Sequence, residues 1–248
     1  MFDQWLAGPT EEIAGDILIC LAEIPGSREG VLDGLRAILR SHYVSPDLTA
    51  RRLVQLGAEK TARLLLAALP QSKKARSGDL GEFLATELAE RRLGFEVPIR
   101  RLRWRDDREM ALRGDDLIGV KRTEQGKWIF LKGEAKSRGK LAKNVVSEAS
   151  RTLDKEEGRP SRHAVLFVVA RLSEIGRNDV ARALEDALLE SFEGSGLEQL
   201  LFTVSGNDPS GLLRAHLESR AGLAPRRHAI GVRVEPHSVL VQLAFDGP

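Results

Sequence analysis

Gly114-Asp115-Asp116-Leu117-Ile118-Gly119-Val120, a polar turn from Thr123 to Gly126, and Trp128-Ile129-Phe130-Leu131-Lys132-Gly133-Glu134-Ala135-Lys136 form the stretch that decides the fold. Two apolar runs around a Gly-containing turn predict a β-hairpin. Side chains alternate along a strand, so Glu134 and Lys136 share one face and Ala135 takes the other. In an antiparallel pair the start of one strand lies beside the end of the next. The hairpin therefore predicts that Asp116 lies close to Glu134 and Lys136.

Two carboxylates and an ammonium at one end of a sheet suit metal-assisted hydrolysis of a phosphodiester. Carboxylate oxygens bind Mg²⁺, which keeps waters and substrate oxygens in its shell. A bound metal acidifies water and offsets developing negative charge. Mn²⁺ would serve the same donors. Lys136 would orient the water or neutralise the phosphate. Each half of the pattern also has an ordinary explanation: Gly-Asp pairs are frequent in turns, and Glu134 with Lys136 could be a solvated pair of little energetic weight.

Upstream, Asp79 to about Leu93 reads as a helix. Asp79 at its N-cap and Glu82 three residues on would form a variant capping box; the alternative is that Glu82 is a third carboxylate reaching over the hairpin. Ala85 and Ala89 share its side and would let the helix pack closely on a sheet. Glu96 to Arg105 reads as a first strand with Arg101, Arg103 and Arg105 on one face, a row that could follow phosphates. Downstream, helices are expected over Leu141 to Glu157, Asp179 to Phe192 and Leu212 to Ser219. His163 to Ala170 and Leu200 to Val204 read as strands, the first buried on both faces. Ala229 to Val234 and Val239 to Phe245 read as a terminal hairpin.

Residues 1–70 are expected to form a mainly helical region. Its apolar stripes include Ile13, Ile17, Leu18 and Leu21, then Val31, Leu32, Leu35 and Leu39, then Leu53, Leu56, Leu65 and Leu66, and are read as core. The basic, polar connector Pro70 to Gly78 marks the boundary with a second unit at 71–248.

Composition narrows the function. The chain has 248 residues, is 42% hydrophobic and carries a formal charge of +2, enough for an ordinary core. Basic residues outnumber acidic ones between Pro70 and Val145, which favours a polyanionic partner. The single cysteine, Cys20, excludes an internal disulfide and a cysteine-zinc cluster. No apolar run reaches the length of a membrane span, and the start of the chain does not read as a signal peptide, so a cytoplasmic protein is expected. There is no Gly-x4-Gly-Lys-Ser/Thr loop for ATP and no Gly-x-Ser-x-Gly elbow. His42, His163, His216, His228 and His237 lack metal-ligand spacing.

Asp116 followed by Glu134-x-Lys136 on a hairpin resembles the PD-(D/E)XK nuclease core, with Arg113-Gly114 standing where that motif has its proline. From Asp79 onward, the expected order of helix, three strands, helix and strand is also that of the superfamily. Gly81-Glu82, Gly114-Asp115-Asp116 and Glu134-Ala135-Lys136 look most like the HamA group, the nuclease-like subunit of Hachiman anti-phage defence. The resemblance covers about Ser77 to Leu172. It implies an α/β, restriction-endonuclease-like core, a mixed central sheet flanked by helices, with the N-terminal helical region added. It implies a Mg²⁺-dependent deoxyribonuclease using Asp116, Glu134, Glu82 and Lys136, the three carboxylates as metal ligands. DNA would be the substrate and a helicase resembling HamB the partner. A non-catalytic DNA-binding or assembly subunit on the same fold is the alternative.

Overall fold

A computed structural model describes residues 1–246. In chain order the elements are α1 (Phe2–Trp5), β1 (Leu6–Ala7), β2 (Thr10–Ile13), β3 (Asp16–Glu23), α2 (Arg28–Ser41), α3 (Pro46–Leu56), α4 (Ala58–Ala68) and α5 (Lys73–Leu93). Then follow β4 (Leu117–Arg122), β5 (Trp128–Arg138), α6 (Lys143–Asp154), α7 (Arg162–Glu174), α8 (Asn178–Leu189), β6 (Gly196–Ser205), α9 (Ser210–Ser219), β7 (Arg226–Arg233) and α10 (His237–Phe245). Short 3₁₀ turns cover Arg101–Trp104 and Lys155–Gly158.

The sheet order is β1-β3-β7-β6-β5-β4, with β2 paired to β3. β3, β7, β6 and β5 run parallel to one another, β4 is antiparallel to β5, and β1 and β2 are antiparallel to β3. The expected α/β fold, a mixed sheet flanked by helices, is what the chain forms. On one face α2, α5 and α10 pack against Ile19, Leu131, Phe202 and Ile230. On the other, α6 and α9 cover Leu18, Leu201 and Ala229, while α7 and α8 cover Ile118, Val120 and Phe130. The alternation of Leu200, Leu201 and Phe202 between these cores is the two-residue period of a strand buried on both faces.

Several local readings are corrected. Ile17, Leu18 and Leu21 lie on β3 rather than on a helix, and β3 pairs with β7. The sheet therefore draws on both sides of residue 70. The expected strand at Glu96 to Arg105 reduces to one bridge, Glu96 with Val120, and the 3₁₀ turn. Its three arginines diverge accordingly. His163 to Ala170 belongs to α7, where Ala164, Val165, Val168, Val169 and Leu172 are buried. That is a helical stripe, started by Ser161, whose hydroxyl accepts from the Ala164 amide at 3.4 Å. Val239 to Phe245 is likewise helical, burying Leu240, Val241, Ala244 and Phe245.

Of the apolar pattern from Leu53 to Leu66, Leu65 packs against the core while Leu53, Leu56 and Leu66 are exposed. Gly57, at φ 80°, divides it into α3 and α4; α3 buries none of its residues, and α4 only Thr61. The basic connector is also partly helix. α5 begins at Lys73, capped by Ser72, whose Oγ accepts from the Ala75 amide at 3.2 Å. No helix among the described residues is long and apolar enough to cross a membrane.

Candidate active site

The β4–β5 register pairs Leu117 with Gly133, which sets Asp116 opposite Glu134. Close approach at this point depends on Gly133, because a Cβ there would come within 2.5 Å of the Leu117 side chain. The Asp116 amide donates to the Gly133 carbonyl at 3.1 Å, and its Oδ2 accepts from the Ala135 amide at 2.8 Å. Asp116 is thereby fixed beside the residue that separates Glu134 from Lys136.

Lys136 Nζ lies 2.8 Å from Glu134 Oε1 and 2.9 Å from Oε1 of Glu148 on α6. Burial opposes its charge, but hydrogen bonds to both glutamates outweigh that and raise its pKa. Glu82 comes from the opposite layer. α5 can lie close to β5 because position 81 is glycine: a Cβ there would sit 3.1 Å from Ser137 Cβ. Ser72, not Asp79, caps this helix, so Glu82 is an interior helical residue and not part of a capping box. Its Oε2 faces Arg105 Nη2 at 3.5 Å. Arg105 also clasps Asp79, with contacts of 2.6 and 2.8 Å, and Asp79 accepts a hydrogen bond from Tyr43.

The electrostatics join Glu82, Asp116 and Glu134. Burial first, then the charge of Asp116, pushes the Glu82 carboxyl up to about 8 and that of Glu134 to about 7. Burial also raises Asp116, against its bond from Ala135 and the charges of Arg101 and Lys136. Three acids crowd a poorly solvated space, and the nearby cations only partly offset them.

Asp115 does different work. Its Oδ2 accepts from the amide and hydroxyl of Ser161, at 2.7 and 3.0 Å, so it braces the start of α7. The buried Lys132 lies 3.7 Å from its Oδ1 and donates to the carbonyls of Lys155 and Arg159 at 3.0 and 2.9 Å. Arg101 holds the carbonyls of Asp115 and Arg113. Arg103 donates to the Ser41 carbonyl. The expected row of arginines is thus spent inside the protein. Nε of both Arg101 and Arg105 is buried without a partner among the described residues.

Glu148, Arg101 and Arg105 escaped the sequence reading as parts of this site. Glu148 follows Lys136 by twelve residues and meets it only because α6 folds back on β5, a placement no local pattern reveals. Among the described residues no three His, Cys, Asp or Glu side chains stand together at metal-holding positions. The donor chemistry nevertheless fits a hard divalent ion. Asp116 and Glu134 are adjacent, each keeps a carboxylate oxygen clear of the contacts above, and Mg²⁺ asks for only one or two carboxylates beside its waters.

No curated protein matches the chain. The HamA family model matches residues 3–246, a span that takes in both halves of the sheet as well as the acid cluster. The chain belongs to the HamA family.

Proposed function

We propose that this protein is a metal-dependent deoxyribonuclease, the cutting subunit of an anti-phage defence complex. The observation that carries the reading is the juxtaposition of Asp116, Glu134 and Lys136 at the open end of the β4–β5 hairpin, with Glu82 on α5 near enough for the charge of Asp116 to add to burial in raising its carboxyl. Family membership supports the defence role. It also supports a helicase partner, which would supply ATP-driven movement that this chain has no phosphate loop to perform.

Asp116 and Glu134 would hold Mg²⁺, with Glu82 reaching it through water. Bound there, the ion would acidify a water and offset charge on the scissile phosphate. Asp116 is pre-positioned for this by the Ala135 amide. Glu134, with its proton affinity raised, ionises most readily when a cation is near. Lys136, held charged between Glu134 and Glu148, would place its ammonium against a phosphate oxygen or the attacking water. Glu82, kept near Arg105, is suited to take a proton from that water around neutral pH.

A binding or assembly subunit is the second reading. It is favoured by the absence of a preformed three-ligand metal group among the described residues. Plasmid cleavage and DNA affinity, measured on the same preparations with Mg²⁺, Mn²⁺ or chelator, separate the two. The assays are run alone and with any helicase encoded beside it. Wild type should cut only with metal. Glu134→Ala should lower cleavage by at least ~100-fold while affinity holds or rises, since a negative charge leaves the phosphate path. Wild-type protein inert under every condition would leave the assembly reading standing.

A further inference from the structure

β5 continues past Lys136 through Ser137 to Arg138 and leads into Gly139, where the chain forms a recess that the acid cluster does not use. A cavity of about 640 Å³ lies between the starts of α5 and α10, lined by Lys73, Arg76, Ser77, Gly139, His237 and Ser238 among others. A second of about 380 Å³ shares Gly139, His237 and Ser238 with it and adds Lys140 and Asn207. The two form one groove.

The charge of the groove is unbalanced. Its acids are already engaged: Asp246 with Arg76 at 2.8 Å, and Glu235 with Arg233 at 3.0 Å. Lys73 and Lys140 are exposed and have no ion-pair partner among the described residues. His237 is 6% exposed. Its Nε2 meets Ser137 Oγ at 2.8 Å, and its Nδ1 has no hydrogen-bond partner among the described residues. Burial lowers its pKa, so the imidazole is neutral and adds hydrogen bonding rather than charge. Ser137 Oγ continues to Ser77 Oγ at 2.9 Å, a hydrogen-bonded chain that ties both walls to the strand bearing Glu134 and Lys136. The first turns of α5 and α10 add their positive ends.

Distance and size identify the occupant. Gly139 lies three residue steps beyond Lys136, a rise of roughly 10 Å, the scale of one or two nucleotides along a strand. A recess of 640 Å³ has the volume of a small-ligand site. A duplex, whose major groove alone is ~12 Å wide, cannot enter it. We infer that this groove receives the sugar-phosphate backbone of an unpaired DNA strand next to the scissile phosphate, with Lys73 and Lys140 as its phosphate contacts. The inference rests on the phosphodiester reading above and adds that the strand at the site is single.

The test measures binding in chelator, where cleavage plays no part. Fluorescence anisotropy compares a labelled oligothymidylate with a blunt duplex for wild type, for Lys73→Gln/Lys140→Gln, and for Ser238→Trp, which fills the groove. Two lost phosphate contacts should lower single-strand affinity roughly tenfold near ~0.1 M salt and reduce the salt slope by about 1.4, with duplex binding little changed. Ser238→Trp should weaken single-strand binding without the change in slope. Unaltered thermal midpoints establish that both variants fold. Unchanged single-strand affinity, or an equal loss on duplex, overturns the proposal. An inert wild type that still shows the single-strand effect would sink the nuclease reading and leave the groove. Active cleavage with no effect of the lysine changes would do the reverse.

Discussion

Two buried charge networks both reach α6, one at Glu148 and the other at Ser150 and Asp154, and they are built differently. Around Glu82, Asp116 and Glu134, acids crowd one another and their carboxyls are pushed upward. Around Arg227 each cation has a carboxylate beside it, Asp154 for Arg227 and Asp16 for Arg220, although burial and then the charge of Arg220 lower the Arg227 pKa. The Arg227 guanidinium, fully buried, donates to Gln199 Oε1 at 2.9 Å, Ser150 Oγ at 2.8 Å and Asp154 Oδ1 at 2.6 Å. Gln199 in turn donates to the carbonyls of Leu153 and Gly158 at 2.9 and 3.1 Å. Asp16 accepts from the Arg227 amide at 2.7 Å and from Arg220. A buried network with its charges paired is costly to break by removing one partner; one left with repulsion among like charges is poised for a ligand to relieve it.

The largest effect expected from this contrast is on stability. Arg227→Met should cost about 3 kcal/mol, because Gln199 Oε1 loses a buried donor and the β6–β7–α6 junction loses packing. Asp154 contributes little to that loss, being 58% exposed at its side chain. Chemical denaturation measures the change, and Mg²⁺ should leave it unaltered. A loss under 1 kcal/mol would mean that the matched network is dispensable.

The sequence reveals the acid cluster more readily than the paired network, for a physical reason. Asp116, Glu134 and Lys136 lie on one hairpin, where the two-residue period and a single register place them. Arg227, Gln199, Asp154 and Asp16 come from three strands and a helix, brought together only by crossovers. The same divide separates correct from incorrect elements. β4, β5, β6, α8 and α9 follow from alternation or helical spacing. His163 to Ala170 and Val239 to Phe245 are apolar almost throughout, and such runs carry no period that distinguishes a buried strand from a buried helix. The exposed Leu53, Leu56 and Leu66, at 46%, 41% and 44%, were legible as an amphipathic face but not as an uncovered one. Glu82 was legible as a helical carboxylate. Its role turned on where the helix begins, and Ser72 rather than Asp79 starts it.

A smaller effect sharpens the acid side of the comparison. The Glu82 carboxyl stands at about 8 in the fold, above its unfolded value of ~4.3. The folded state therefore holds a proton that the unfolded state has lost, and stability falls as pH rises through that window. In chelator, Glu82→Gln should match wild type near pH 5 and exceed it by on the order of 1 to 2 kcal/mol near pH 8. Adding Mg²⁺ at pH 8 should narrow the gap by stabilising wild type. Thermal midpoints across this range decide it, and a gap independent of pH would show that neither burial nor the neighbouring charge of Asp116 raises the Glu82 carboxyl.

The paired network should respond to pH in the opposite sense. His216 Nε2 stands 3.0 Å from Arg227 Nη1, and the guanidinium can only donate, so the imidazole accepts and is neutral. Burial, followed by the charges of Arg227 and Arg220, lowers its pKa to about 4. Below its unfolded value of ~6.5 the unfolded chain takes up a proton that the fold refuses. The contribution of neutral His216 is thus complete above pH 6.5 and is lost as pH falls toward 4. Its side chain is partly solvated, so the effect should be on the order of 1 kcal/mol, well short of the unscreened shift. His42 and His237 also have lowered pKa values through burial, so the readout is the difference between His216→Gln and wild type. The variant, which keeps an acceptor but cannot be protonated, should lose less stability between pH 7 and pH 4.5. Parallel curves for the two proteins would mean that His216 does not titrate against Arg227 and that acid sensitivity arises elsewhere.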